Sequence, residues 1–229
     1  MKGSATFDHI FGNTYKITSS IADSLADKKR IIAIIAPPVL IAFMYPIFHS
    51  LAVVMNDWIA WYLGLVIYWL IWGLVFSVLT VGKDTIRALI RPRKPTIKVL
   101  LPMSIILLGA LAARLFVPGM EYEKQSVWIL LLLLSTSFGN GFFEEVLWRG
   151  VYFTLFPNKI FYRMIWPTVW FAIWHYVPGS VLHDNMTGLI GLMAGSGLMG
   201  LVLSYMTKKT NTLWWSIVTH FLGGIIMIV

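Results

Sequence analysis

Apolar residues in this chain fall in long unbroken runs rather than in alternation. The runs lie near Ile31–Val54, Trp58–Val81, Val99–Val117, Val127–Leu147, Trp166–Val177, Leu189–Met206 and Leu213–Val229. Most reach the roughly 17–25 residues that a helix needs to cross a bilayer. The fifth is short, and there is room for an eighth crossing around Val177–Leu189. The pattern predicts an all-α, polytopic transmembrane helical bundle of about seven spans. Ahead of it, Phe7, Ile10, Phe11, Tyr15, Ile17, Ile21 and Leu25 recur at roughly helical spacing, which suits a helix lying on a membrane surface. Two parts follow: an amphipathic cytoplasmic or interfacial segment at 1–30 and a transmembrane domain at 31–229.

Composition supports lipid as the solvent. Of 229 residues, 58% are hydrophobic and 12% charged, against about 45–50% and about 25% in soluble domains. Mean hydropathy is +0.77. There is no cysteine, which excludes disulfides, thiolate catalysis and cysteine-ligated zinc. The first 30 residues are too polar to contain the apolar core of a cleavable signal peptide, so none is expected.

The net charge of +8 reads as orientation and contact with anionic lipid headgroups, with no nucleic-acid partner expected. Fifteen of the 18 basic residues fall on one side: Lys2, Lys16, Lys28, Lys29, Arg30, Lys83, Arg87, Arg91, Arg93, Lys94, Lys98, Lys159, Arg163, Lys208 and Lys209. Of the rest, Lys124 lies in an opposite loop with Glu121 and Glu123, while Arg114 and Arg149 lie within spans. The positive-inside rule places the N-terminus in the cytoplasm.

An ionisable residue inside a bilayer costs about 2.5–3.5 kcal/mol on insertion scales and marks function. Glu144, Glu145 and Arg149 share the fourth run, and His175 and His220 lie in the fifth and last. Glu145 and Arg149 are four apart and can pair on one helix face, leaving Glu144 for other work. At 1.5 Å per residue, His175 and His220 each sit about 12 Å from the basic side. Glu144 lies at a similar depth, so the three can meet. A carboxylate there can take a proton from water. Imidazoles can hold that water, stabilise an oxyanion or bind a metal. The set suits hydrolysis, with water and substrate expected to enter from the basic side.

The residues that carry this reading resemble the CPBP family, the CAAX prenyl proteases and bacteriocin-processing (Abi-like) membrane enzymes. Glu144-Glu145 with Arg149 is similar to its EExxxR motif, Phe171 with His175 to FxxxH, and Thr212-Leu213-Trp214 through His220 to its third motif. The resemblance spans roughly 127–224. It implies an intramembrane endopeptidase in which Glu144 activates water, helped by His175 and His220, with Glu145, Arg149 and Phe171 in support. Substrates would be peptide precursors or prenylated protein tails, and a prokaryotic plasma membrane is expected rather than the endoplasmic reticulum. Zinc on Glu144, His175 and His220 is an alternative chemistry, and metal-independent hydrolysis is the preferred one.

In one respect the chain departs from the family, where an Asn commonly stands four residues after the last His; here it is Gly224. Asn140, four before Glu144, is the candidate replacement donor, and an Asn restored at 224 is expected to substitute for it. The same departure motivates an alternative reading, an inactive scaffold or immunity factor on the same fold. Ser196, in Ala194-Gly195-Ser196-Gly197, offers a serine-protease reading, though a GxxxG at Gly191 and Gly195 points to helix packing. His9, His49 and His183 are expected in solvated positions. Trp58, Trp61, Trp166 and Trp214 are expected to anchor interfaces, and Asn185-Met186-Thr187 is a formal glycosylation sequon.

Overall fold

The computed structural model describes residues 4–116, 126–157, 159–182 and 186–228. The expected loop residues Glu121, Glu123, Lys124 and His183, and the Asn185 of the sequon, lie outside the described residues, as do the side chains before Asp23, His9 among them. All regular structure among the described residues is helical. In chain order it consists of α1 (Ser4–Val54), α2 (Asp57–Val81), α3 (Lys83–Leu89), α4 (Ile97–Phe116) and α5 (Val127–Leu155). Then come a π-helical turn at Phe161–Ile165 that leads into α6 (Trp166–Trp174), α7 (Tyr176–Leu182), α8 (Met186–Thr210) and α9 (Trp214–Ile228).

Five helices are long and apolar enough to cross a membrane: Asp23–Val54, Asp57–Val81, Ile97–Leu115, Val127–Leu155 and Met186–Thr210. The fifth and seventh expected runs are helical but shorter. The fifth breaks at His175 for a local reason. Pro178 has no N–H to donate to the Trp174 carbonyl, and the ladder tightens one turn earlier, where His175 N–H donates to Ala172 O at 3.2 Å. The last run is the 15-residue α9, about 22 Å at 1.5 Å per residue.

Large apolar side chains such as Ile35, Leu79, Leu101, Leu108 and Leu198 point outward, as lipid-facing positions require. The interior is aromatic: Phe48, Tyr68, Trp148, Tyr152, Phe171 and Trp174 are fully buried. The phenol and indole tips of these fully buried rings find partners, as an apolar interior demands. Tyr152 donates to Ala33 O at 2.8 Å and Trp148 Nε1 to the Tyr68 hydroxyl at 2.8 Å. His49, expected in a solvated position, is half-buried and bonds the Ser180 hydroxyl at 3.1 Å.

Close helix approach occurs elsewhere than the GxxxG. Gly191 and Gly195 face open space, whereas a Cβ at Gly200 would sit 2.9 Å from an Arg149 nitrogen. At Gly141 the backbone of α9 comes so near that a Cβ would lie 3.1 Å from Phe221 N and 3.2 Å from Ile217 O. This crossing brings the middle of α5 against the middle of α9. Both α2 and α5 carry wide π-type turns, at Trp69–Phe76 in α2 and at Asn140–Glu144 and Val146–Val151 in α5. Such turns widen the helix and often mark functional positions.

The basic segment is fastened to the start of α9. Asn211, in the left-handed conformation (φ 51°), ends α8 and reverses the chain. Thr212 then shares its hydroxyl proton between Leu89 O (2.7 Å) and Arg91 O (2.8 Å), and accepts from Trp214 N–H at 3.1 Å. Leu213 N–H donates to Leu89 O at 2.8 Å and Trp215 Nε1 to Arg93 O at 2.9 Å. Below this staple Ile86, Val146 and Leu213 pack together. Thr212→Val leaves Arg91 O without its donor and Trp214 N–H without its acceptor, while Leu89 O keeps Leu213 N–H; it should lower stability by about 1–3 kcal/mol. Unfolding in detergent checks this; Thr212→Ser should recover most of the loss.

Candidate active site

The wide turns of α5 display Glu144 and Glu145 inward, and both are buried, as is Arg149. Glu145 Oε1 accepts two hydrogen bonds. Arg149 donates to it at 2.9 Å from four residues away, and His220 Nδ1–H donates at 2.9 Å from α9. The expected Glu145–Arg149 pair is present, but Glu145 does more than neutralise an arginine. With Nδ1 committed as the donor, neutral His220 presents Nε2 as its lone-pair nitrogen. That nitrogen faces Glu144 Oε2 at 3.7 Å, too far for a direct hydrogen bond.

Glu144 is held from another direction. Trp174 Nε1 donates to its Oε1 at 3.1 Å, which leaves Oε2 without a protein donor. Trp174 also stacks on Tyr68 at 4.1 Å between centroids, and the Tyr68 hydroxyl interacts with Glu144. Phe171 is fully buried at the hinge of the arrangement. The Arg149 guanidinium lies 4.4 Å above its ring, and the His175 and His220 rings stand edge-on at 4.6 and 6.2 Å.

His175 is placed differently. Its Nδ1 donates to Phe171 O at 2.8 Å, so Nε2 carries the lone pair. It makes no hydrogen bond to Glu144 or His220, and its ring, like that of His220, stands edge-on to Phe171. Among the described residues no three His, Asp or Glu side chains are grouped to hold a metal ion. The zinc set of Glu144, His175 and His220 therefore does not fit this geometry. Ser196 is buried, and neither His175 nor His220 bonds it.

A cavity of about 160 Å³ adjoins the pair, lined by Leu133, Thr136, Ser137, Asn140, His220, Gly224, Met227 and Ile228. Its α5 residues precede Glu144 and its α9 residues follow His220. It therefore lies on the side of the site away from the basic segments. Asn140 does line this cavity beside His220, as its spacing from Glu144 suggested.

Three residues that hold the site were missed. Trp174, Tyr68 and Trp69 carry polar tips that bond or interact with Glu144 or Asn140. Their signal was faint: an indole or phenol inside an apolar run needs a partner, but the run does not say which.

Residues 126–226 match the family model for the Type II CAAX prenyl endopeptidase, Rce1-like. That stretch is under half of the chain and is similar to this family. The comparisons with curated proteins and with solved structures returned no match. The matched stretch holds Glu144, Glu145, Arg149, Phe171, His175 and His220, and the resemblance to the CPBP intramembrane proteases is upheld. With five apolar helices of spanning length, the chain is an integral membrane protein, and its residues 126–226 are similar to a protease family. Tyr68 and Trp69 lie outside the matched segment.

Removing Glu145 strands two donors at once. Glu145→Ala should cost about 3–5 kcal/mol, the range for breaking a buried pair by deleting one partner. Thermal unfolding in detergent should show this loss. Glu145→Ala with Arg149→Met should regain much of it, because no buried charge is then left alone.

Proposed function

We propose that the chain is an intramembrane endopeptidase in which Glu144 activates water against a peptide bond. The observation that carries this reading is the facing pair: Glu144 Oε2, without a protein donor, and His220 Nε2, 3.7 Å away. A water between them would donate to both. Glu144 takes a proton as the oxygen attacks the scissile carbonyl. The tetrahedral intermediate then collapses, the C–N bond breaks, and Glu144 returns the proton to the leaving amine. His220, its Nδ1–H held by Glu145, orients the water. His175, with Nδ1 held by Phe171 O, offers Nε2 to the intermediate.

The chemistry runs without a metal in this reading, since the donors do not converge as a metal set. The seven-span topology with a cytoplasmic N-terminus is part of the same proposal. It rests on the placement of Lys and Arg and counts the shorter α6–α7 and α9 as crossings. Substrates are membrane-associated peptides or protein tails. A non-catalytic scaffold is the second reading, favoured only by the glycine at 224.

Purified protein in detergent or liposomes, incubated with a quenched-fluorescent peptide library, tests this. Glu144→Gln and His220→Ala should each lose at least about 10³-fold in turnover, the scale for a member of a triad-like set. His175→Ala should lose about 10²-fold, the lower range for general acid–base or electrostatic help. All three should stay folded. Wild-type turnover in Glu144→Gln would remove the mechanism, and a wild type that cleaves nothing would favour the scaffold.

A further inference from the structure

The cavity beside His220 is built from groups that point to a ligand. Thr136 Oγ1 is buried, lines the cavity and has no hydrogen-bond partner. Asn140 has its amide fixed by chemistry rather than by convention. Trp69 Nε1 donates to Asn140 Oδ1 at 2.9 Å. Indole nitrogen is a donor only, so the oxygen of the amide must face Trp69 and the NH₂ must face away from it. No other described group accepts from that NH₂. Gly139 makes the arrangement feasible, since a Cβ there would lie 2.5 Å from the Trp69 ring.

The wall opposite is equally specific. A Cβ on Gly224 would meet Ser137 Oγ at 2.7 Å and Ser137 Cβ at 2.9 Å. Ser137 is itself tied to Leu133 O at 3.1 Å. The space beside His220 that a side chain from position 224 would take is filled by Ser137 from α5.

We infer that this cavity is the subsite for the scissile carbonyl and the small residue next to it, with Asn140 as oxyanion donor and Trp69 as its positioning residue. The substrate segment reaches Glu144 through the half of the bilayer away from the basic segments. A space of about 160 Å³ suits a carbonyl with one small side chain. Trp69 lies outside the Rce1-like segment, so an element beyond it sets the donor. This inference rests on the endopeptidase reading above.

Two measurements test it. In the first, turnover of the fluorogenic peptides is compared across variants, with Glu144→Gln as the control. Asn140→Ala should lose about 10²–10³ in kcat, the worth of one oxyanion donor, with KM nearly unchanged. Trp69→Phe keeps the ring but frees the amide and should lose about five- to tenfold in kcat, as for one neutral hydrogen bond. Gly224→Asn should not rescue Asn140→Ala, but adding Ser137→Gly should restore part of the rate. If Glu144→Gln is dead and Asn140→Ala cleaves at the wild-type rate, the subsite is wrong while the endopeptidase reading stands. If Glu144→Gln keeps full turnover, it is the endopeptidase reading that fails.

The second measurement needs no turnover. The chain has no native cysteine, so single thiols report cleanly. In sealed vesicles an impermeant thiol reagent should label Thr136→Cys from the face opposite to the one that labels Lys94→Cys. Labelling of both from one face, or no labelling of Thr136→Cys from either, would overturn the proposed route.

Discussion

One buried carboxylate oxygen organises this protein. Glu145 Oε1 accepts from Arg149 and from His220, each at 2.9 Å, with all three residues shielded from solvent. A buried anion is tolerable only when paired and hydrogen-bonded. Here the pairing fixes more than charge. It holds α9 against α5, sets the histidine tautomer and aims the remaining nitrogen at Glu144. The two adjacent carboxylates thus have different tasks because their partners differ: a cation and an imidazole N–H for one, an indole N–H for the other.

The surrounding fold serves that contact. The crossing at Gly141 removes the side chain that would keep α9 away. Adjacent on α5, Glu144 and Glu145 point in different directions and reach different neighbours. Phe171 gives the Arg149 guanidinium a ring face and is met edge-on by both histidines. On the basic side, Thr212 fastens α9 to α3 and packs Leu213 against Val146. The open space is left on the other side, between Asn140 and Gly224.

Much of this was legible in the chain, for reasons that can be named. Glu145 and Arg149 pair because four-residue spacing puts them on one face, and that survives the wider turns. Glu144 and His220 meet because helical rise converts residue count into depth. The contacts that were not legible join distant elements. Trp69 and Asn140 are 71 residues apart, and no spacing rule relates an indole on one span to an amide on another. The consequence of Gly224 was likewise hidden, since only the packed structure shows Ser137 in its place. The number of spanning helices was blurred by Pro178, which breaks one apolar run into two short helices.

The account stands on Glu145 acting through His220 on the water that Glu144 activates. A double-mutant cycle on kcat tests that link most directly, using Glu145→Gln, His220→Gln and the pair together. If both residues act through one water, the double variant should be no slower than the worse single variant, a strong departure from additivity. Losses that simply multiply would mean that Glu145 and His220 act independently, and would contradict the account.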